Sequence, residues 1–370
     1  MSRFANQSSG NWSVNETSCV FNVSHIDPIV DDFSIAFKAV VGLLYAFIAI
    51  LGIVGNVSII FVLYKNERRR LEYPSNVCLL NVVVIDLFYF FVCHPIIMWN
   101  LLREGTWRTG DVMCRINGGL NCMVYLTACY SLPLISLERQ LNLTYPIKPR
   151  YLSVSRVKFF LACLWTFSFV CAILPIFGVN EYVVYRNPLV CGPSLDYSTW
   201  QVIIMTGGLM TTFLIVIWSQ AVLFARVSRY KKERRRRRNS ILVMEVNVER
   251  SVLSTQVNWD SFLDNVRAAF TVFLVCSTYF IAFIFGAALG TVLTLAYQKE
   301  LKSCKIFNDL NLYGWTVVIT MYMLCFAANP YIYGFRKNDI KEEFKAMFLS
   351  LNPVRRFRQN RRVSNVKIFA

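Results

Sequence analysis

Residues 112–141 read VMCRINGGLNCMVYLTACYSLPLISLERQL, and this stretch decides the fold. From Ile116 to Leu137 no side chain is charged, and the run then ends on Glu138-Arg139. About 20 apolar residues in a helix cross the roughly 30 Å hydrocarbon core of a bilayer. An arginine beside an acid at the end of such a helix is costly unless it is paired and functional. The bland alternative is an interfacial arginine that snorkels to lipid headgroups.

Working outward, the same test finds six more apolar segments. The seven lie near 36–64, 75–100, 112–141, 156–178, 199–227, 267–297 and 312–335. The chain is 55% hydrophobic and 16% charged, with a mean hydropathy of +0.44 and a formal charge of +17. A soluble domain of 370 residues needs more charge to cover its surface. Buried helices of a soluble protein would be shorter and would keep a polar face. The expected fold is an all-α membrane protein, a seven-transmembrane bundle over 36–335. No span carries a catalytic acid–base pair, a metal cluster or a chain of ionisable residues, which argues against an enzyme or a transporter.

Basic residues set the orientation, because inner loops retain Lys and Arg. With the N-terminus outside, inner segments hold thirty of the 39 basic residues. Counting only the short loops, the inner side still leads. The sequons at Asn6, Asn11, Asn15 and Asn22 crowd residues 1–35, as an exposed glycosylated tail would have. Those at Asn56 and Asn142 fall in a span and at the inner face, and read as chance. The first 30 residues hold no apolar stretch of signal-peptide type, so the first span is expected to act as the signal anchor.

Eight of the 12 cysteines lie in or beside spans, where a thiol behaves as a small apolar group. Cys19, Cys114, Cys191 and Cys304 lie outside. An even number in an oxidising compartment points to pairing.

Further markers stand in order: Gly55-Asn56 in the first span, then Asn81-Val-Val-Val-Ile-Asp86-Leu87 with the one acid interior to a span. Trp107-Arg-Thr-Gly110 precedes Cys114, Trp165 sits in the fourth span, and Asn329-Pro330-Tyr331-Ile332-Tyr333 ends the seventh. With Glu138-Arg139, this series over about residues 36–349 resembles the rhodopsin-like (class A) G-protein-coupled receptors. The resemblance implies a Cys114–Cys191 disulfide and, as in chemokine-type receptors, a Cys19–Cys304 bridge. Two free thiols are the alternative for the second pair. It implies that Glu138 restrains Arg139, that Tyr333 swings inward on activation, and that Asp86, Asn56 and Asn329 form a polar cluster with an allosteric sodium ion. Without an ion, the same three residues would staple the helices by hydrogen bonds. Ala128 and Cys325 stand where the family usually has polar side chains, and Gln140 replaces an aromatic residue.

Helices five and six depart further. No proline lies between Pro193 and Pro330, and the sixth span has no tryptophan. Phe273-Leu-Val-Cys276-Ser277-Thr278-Tyr279 stands roughly where Phe-x-x-Cys-Trp-x-Pro is usual, with a shift of about two turns left open. Pro133 inside the third span is an unusual source of a kink.

The family's ligand-facing position on the third helix falls on Asn121, where amine receptors carry aspartate. Met323 stands near the retinal lysine of opsins. The expected pocket residues are Asn121, Tyr125, His94, Tyr279, Phe280 and Ile319, with Trp315 nearby. His94 also reads as a packing residue beside Pro95. This neutral, aromatic set suits a peptide terminus first, then a lipid or a neutral small molecule.

On the inner side, Lys231–Arg238 is expected to extend the fifth helix beside anionic lipid. Ser240 and Ser364 follow basic residues as kinase sites do. Ile340, Phe344, Met347 and Phe348 share one face of an amphipathic helix over 336–349, ahead of a basic tail at 350–370. The expected partners are an extracellular ligand, a heterotrimeric G protein, arrestin, receptor kinases and membrane lipid, with no nucleic acid. The expected function is a ligand-activated receptor in the plasma membrane. The alternative is a non-signalling decoy, scaffold or heterodimer subunit.

Overall fold

The computed structural model describes residues 34–65, 72–103, 109–144, 152–179, 181–184, 190–193, 207–241, 266, 270–271, 273–286, 288–290, 292 and 305–336. Seven helices are long and apolar enough to cross a membrane: Ile35–Tyr64, Pro74–Arg103, Gly110–Glu138, Val154–Phe177, Met210–Arg229, Phe273–Gly290 and Tyr313–Ile332. They follow the seven segments read from hydropathy. The N-terminal tail, Cys19, Cys304, the proposed eighth helix and the basic tail lie outside the described residues.

Polarity runs inside out. Asn56, Asp86, Asn117 and Thr127 are fully buried, whereas Phe61 and Trp218 are 51% and 60% exposed. The hydrocarbon of a bilayer solvates those rings, so the polar groups go inward and bond one another. The first helix, Ile35–Lys65, shows this along its length. Tyr45, Ile48, Asn56 and Ile59 share the buried face, while Leu43, Phe47, Ile50 and Phe61 stand out. Both faces are apolar, so burial cannot be read from composition.

Cross-helix bonds position the bundle. Tyr45 donates to the Thr316 carbonyl at 3.1 Å, and Tyr331 donates to the Leu51 carbonyl at 3.0 Å, clamping the first helix to the seventh. Gly55 lets the two approach, since a Cβ there would lie 2.6 Å from Pro330 Cγ. Gly55→Val should therefore cost roughly 1–3 kcal/mol of overpacking. A melting temperature equal to the unmodified protein's would show that Pro330 yields freely. Asn81 stitches three helices: it accepts from Trp165 Nε1 at 2.9 Å and donates to Ser131 Oγ at 2.9 Å.

The second span has a local irregularity with a clear cause. Pro95 has no N–H and its ring crowds the preceding carbonyl turn. The helix responds with a π turn over Tyr89–Cys93, closed by the His94 N–H reaching back to the Tyr89 carbonyl. Pro133, by contrast, lies within a helix that runs on from Gly110 to Thr144.

Outside the bundle, β1 (Tyr182–Val184) pairs antiparallel with β2 (Cys191–Pro193), with Val184 opposite Cys191. The Cys114–Cys191 disulfide ties β2 to the outer end of the third helix, with Cα atoms 5.3 Å apart. The fifth helix, Gly208–Ile241, runs well past its span, so the basic run lies on helix. Lys232, Arg235 and Arg236 are exposed there.

Candidate functional site: a cavity beneath the hairpin and a polar cluster below it

A cavity of about 220 Å³ opens beneath β2. Its walls come from the second, third and seventh spans and from residues 190–193; among the described residues none of its lining is charged. Asn121, Tyr125 and Ile319 line it, as the sequence predicted, and so does Trp315. Sequence reading missed Tyr89, Cys122, Tyr322 and Phe326. Tyr89 and Phe326 fall one residue or one turn from residues that could be placed, but apolar spans give no phase by which to pick them.

Three expected lining residues stand elsewhere. His94 is buried and edge-on to Phe90 at 6.2 Å, because the π turn re-aims the helix below it. Phe280 packs on Phe213 of the fifth helix at 4.1 Å. Tyr279 points lower, accepting a hydrogen bond from Asn329. The sixth helix is thus set about two turns from the first registration. The ring that meets Tyr125 is Phe283, stacked at 6.3 Å, six residues beyond Ser277. Phe213, Phe280 and Phe283 form a wall of rings toward the fifth and sixth helices.

Hydrogen bonds orient the roof. The Cys191 N–H donates to Asn117 Oδ1 at 3.4 Å, and Asn121 Nδ2 donates to the Asn117 carbonyl at 2.9 Å. Asn121 thus lines the cavity with its oxygen and a second amide N–H not used in this bond. Tyr182 lies over Gly118, where a Cβ would come 2.5 Å from its ring, and its hydroxyl donates to the Ala172 carbonyl at 2.7 Å. Burial pushes the Tyr182 hydroxyl above its usual ionisation range, so it remains a neutral donor.

Below the cavity, Asn329 Nδ2 donates to both carboxylate oxygens of Asp86, at 3.1 and 3.0 Å, and to Tyr279 Oη at 3.3 Å. Asn56 is buried beside the seventh helix; its amide nitrogen donates to the Gly52 carbonyl at 2.9 Å, and its side chain also bonds Asp86. The Oδ1 atoms of Asn56 and Asn329 are buried without hydrogen bonds. With the Asp86 carboxylate they make a set of hard oxygens that suits a small cation. Ala128 and Cys325 add no hard oxygen to it.

At the inner end, Glu138 is buried on the third helix. Gln140 accepts from Ser219 of the fifth helix at 3.0 Å, and Ser219 also donates to the Ser136 carbonyl. A polar side chain in place of an aromatic one thus gains a specific partner. Pro330 lies inside the seventh helix. The side chains of Arg139 and Tyr333 lie outside the described residues, and so do the sequons at Asn6, Asn11, Asn15 and Asn22.

Comparison with known proteins decides the family. Residues 55–333 match the 7 transmembrane receptor (rhodopsin family). The chain belongs to this family. Its members are receptors rather than enzymes, and the chain is a multi-pass membrane protein. It is 27% identical over 187 residues to melanin-concentrating hormone receptor 1 of Mus musculus, covering 46% of this chain and 52% of that one. With a QRFP-like peptide receptor of Branchiostoma floridae it shares 24% over 206 residues, 54% and 53% of the two chains. The matches thus span about half the length of these curated relatives. The crystal structure of squid rhodopsin superposes with a TM-score of 0.66 at 18% identity, over 86% of this chain and 87% of that one, which shows the fold.

Proposed function

We propose that the protein is a plasma-membrane receptor, with its N-terminus outside, that binds an extracellular ligand in the cavity and activates a heterotrimeric G protein. The observation that carries this reading is the uncharged cavity under a disulfide-tied hairpin, in a chain of the rhodopsin family. A peptide terminus is the favoured ligand, with a lipid or neutral small molecule as alternatives. A cavity of this size admits one side chain or terminus, and a relative is named as a peptide receptor. Glu138, Arg139, Asn329, Pro330 and Tyr333 are the proposed coupling residues, with arrestin and receptor kinases as further partners. Absence of proline from the fifth and sixth helices supports the second reading, a non-signalling decoy, scaffold or heterodimer subunit.

A sodium ion held by Asp86, Asn56 and Asn329 would supply positive charge to the buried carboxylate. The protein should then melt higher in sodium chloride than in choline chloride. Equal melting in the two salts would leave the cluster as a hydrogen-bonded staple.

The deciding experiment measures G-protein activation in cells across peptide and lipid libraries, with Arg139→Ala as control. Monoamines should give no response below micromolar concentrations, because Asn121 supplies no counterion. Asn121→Asp should impair folding or response, since an unpaired buried carboxylate costs several kcal/mol. Strong activation of the unmodified protein by a monoamine would refute the neutral pocket. For topology, an N-terminal tag should label intact cells, and glycosidase should lower the mass through Asn6, Asn11, Asn15 and Asn22. A C-terminal tag accessible without permeabilisation would reverse the orientation.

A further inference from the structure

The chemistry of the cavity narrows the kind of terminus it can hold. Among the described residues its lining carries no cation to neutralise a carboxylate and no carboxylate to neutralise an ammonium. Both ends of an ordinary peptide are charged, and a charge taken from water without a partner is strongly disfavoured. The entering group must therefore be neutral, yet the lining is not uniformly apolar. Asn121 presents an oxygen and a second amide N–H, since its first N–H goes to the Asn117 carbonyl. The Asn117 amide nitrogen, one turn above on the same helix face, is buried without a hydrogen bond. We propose that the ligand sets a primary carboxamide against Asn121, as a peptide whose C-terminus is amidated and whose last side chain is apolar or aromatic. The inference rests on the receptor reading above and names the class of terminus which that reading leaves open.

Three observations carry it. First, a carboxamide has an acceptor oxygen and two N–H donors, so it matches both kinds of atom on Asn121. A carboxylate only accepts and an ammonium only donates. Each would leave one atom of Asn121 unbonded away from water, besides burying its own charge. Second, Asn121 is already ordered for this contact. Its bond to the Asn117 carbonyl is 2.9 Å, and Asn117 Oδ1 in turn accepts from the Cys191 N–H of the disulfide-tied roof. A side chain held in place beforehand loses little freedom on binding. Third, the floor is aromatic. Tyr89 and Phe326 line the cavity and stack with centroids 4.4 Å apart, and Val318 and Ile319 add aliphatic wall. That surface suits the side chain beside the carboxamide, and a cavity of about 220 Å³ has room for little more than that residue. An alkyl chain would fit the floor and leave Asn121 unsatisfied.

Small fragments test this without the natural ligand. With purified full-length protein in lipid nanodiscs, saturation-transfer NMR measures the binding of N-acetylphenylalaninamide, its methyl ester twin and its free-acid twin, with signal from empty nanodiscs subtracted. Fragments of this size reach dissociation constants of about a millimolar. The amide should bind roughly fivefold tighter than the ester, which is neutral but has no terminal N–H. It should bind about tenfold or more tighter than the acid, which is a carboxylate at neutral pH. Asn121→Ala should bring the amide down to the level of the ester and leave the ester unchanged. An amide no tighter than the ester overturns the proposal, as does an acid as tight as the amide or a lack of binding by all three. So does an amide preference that persists whole in Asn121→Ala. Octanamide, a carboxamide on an alkyl chain, should bind more weakly than N-acetylphenylalaninamide; the reverse order would give the cavity to lipid amides and overturn the peptide assignment. If Asn121→Ala fails to fold, the order of the fragments on the unmodified protein decides alone. Because the readout is binding, a chain that never activates a G protein still gives the result. Failure of the receptor reading would instead appear as amide-selective binding while amidated peptides elicit no nucleotide exchange.

Discussion

Arg139→Ala should abolish basal and evoked G-protein activation while leaving surface expression near normal, and Glu138→Gln should do the reverse and raise basal activity. Glu138 is almost wholly buried at the inner end of the third helix, a place where a carboxylate needs compensation. Removing a charge-assisted hydrogen bond costs about 1.5–3 kcal/mol. That is enough to shift a two-state population by roughly tenfold or more. The double variant should be as silent as Arg139→Ala, because the acid acts only through the arginine. Nucleotide exchange measured against several G-protein families checks all three. A Glu138→Gln protein that reaches the surface and shows no rise with any of them would favour the decoy reading.

Loss of the hairpin tie should be as severe. Cys114→Ser and Cys191→Ser should each cut surface expression strongly and to the same degree, with the double variant no worse than either. The bond closes a loop with a sequence separation of 77 residues, and removing a native disulfide typically costs about 2–5 kcal/mol. It also frees β2, which roofs the cavity and holds the Cys191 N–H on Asn117. Flow cytometry on the three variants decides it. Additive losses would mean that the two cysteines act separately.

The seven spans were legible because a bilayer demands length and hydropathy, and both are one-dimensional properties. The bond between Asp86 and Asn329 was legible for a related reason. A carboxylate at mid-membrane must find a polar partner, and few such partners exist. The cavity was legible only in part. Asn121, Tyr125 and Ile319 could be placed because Arg139 and Asn329 fix the phase of the third and seventh helices. The sixth helix offers no such anchor, since it lacks the proline and tryptophan that would set its register. Tyr279 was therefore assigned to the pocket, whereas it bonds Asn329 below it, and Phe283 stacks on Tyr125. For His94 the packing reading beside Pro95 holds, and only its place among the pocket residues fails: the π turn after Phe88 adds a residue to one turn, which no periodicity forecasts.

The cross-helix bonds are unevenly distributed, and this gives the molecule a stator and a rotor. Tyr45 and Tyr331 lock the first helix to the seventh at two heights, Asn329 locks the seventh to the second, and Asn81 locks the second to the third and fourth. For the fifth helix, the described polar ties to other helices are those of Ser219. For the sixth, Tyr279 accepts from Asn329, Thr278 bonds Cys325 of the seventh helix, and Cys276 bonds Ser136 of the third. Five helices form the housing, and the fifth and sixth are held to it by these side chains. A protein engineer seeking a single arrested state would gain little by bracing the housing further, and most by adding one cross-link between Cys276 and the third helix.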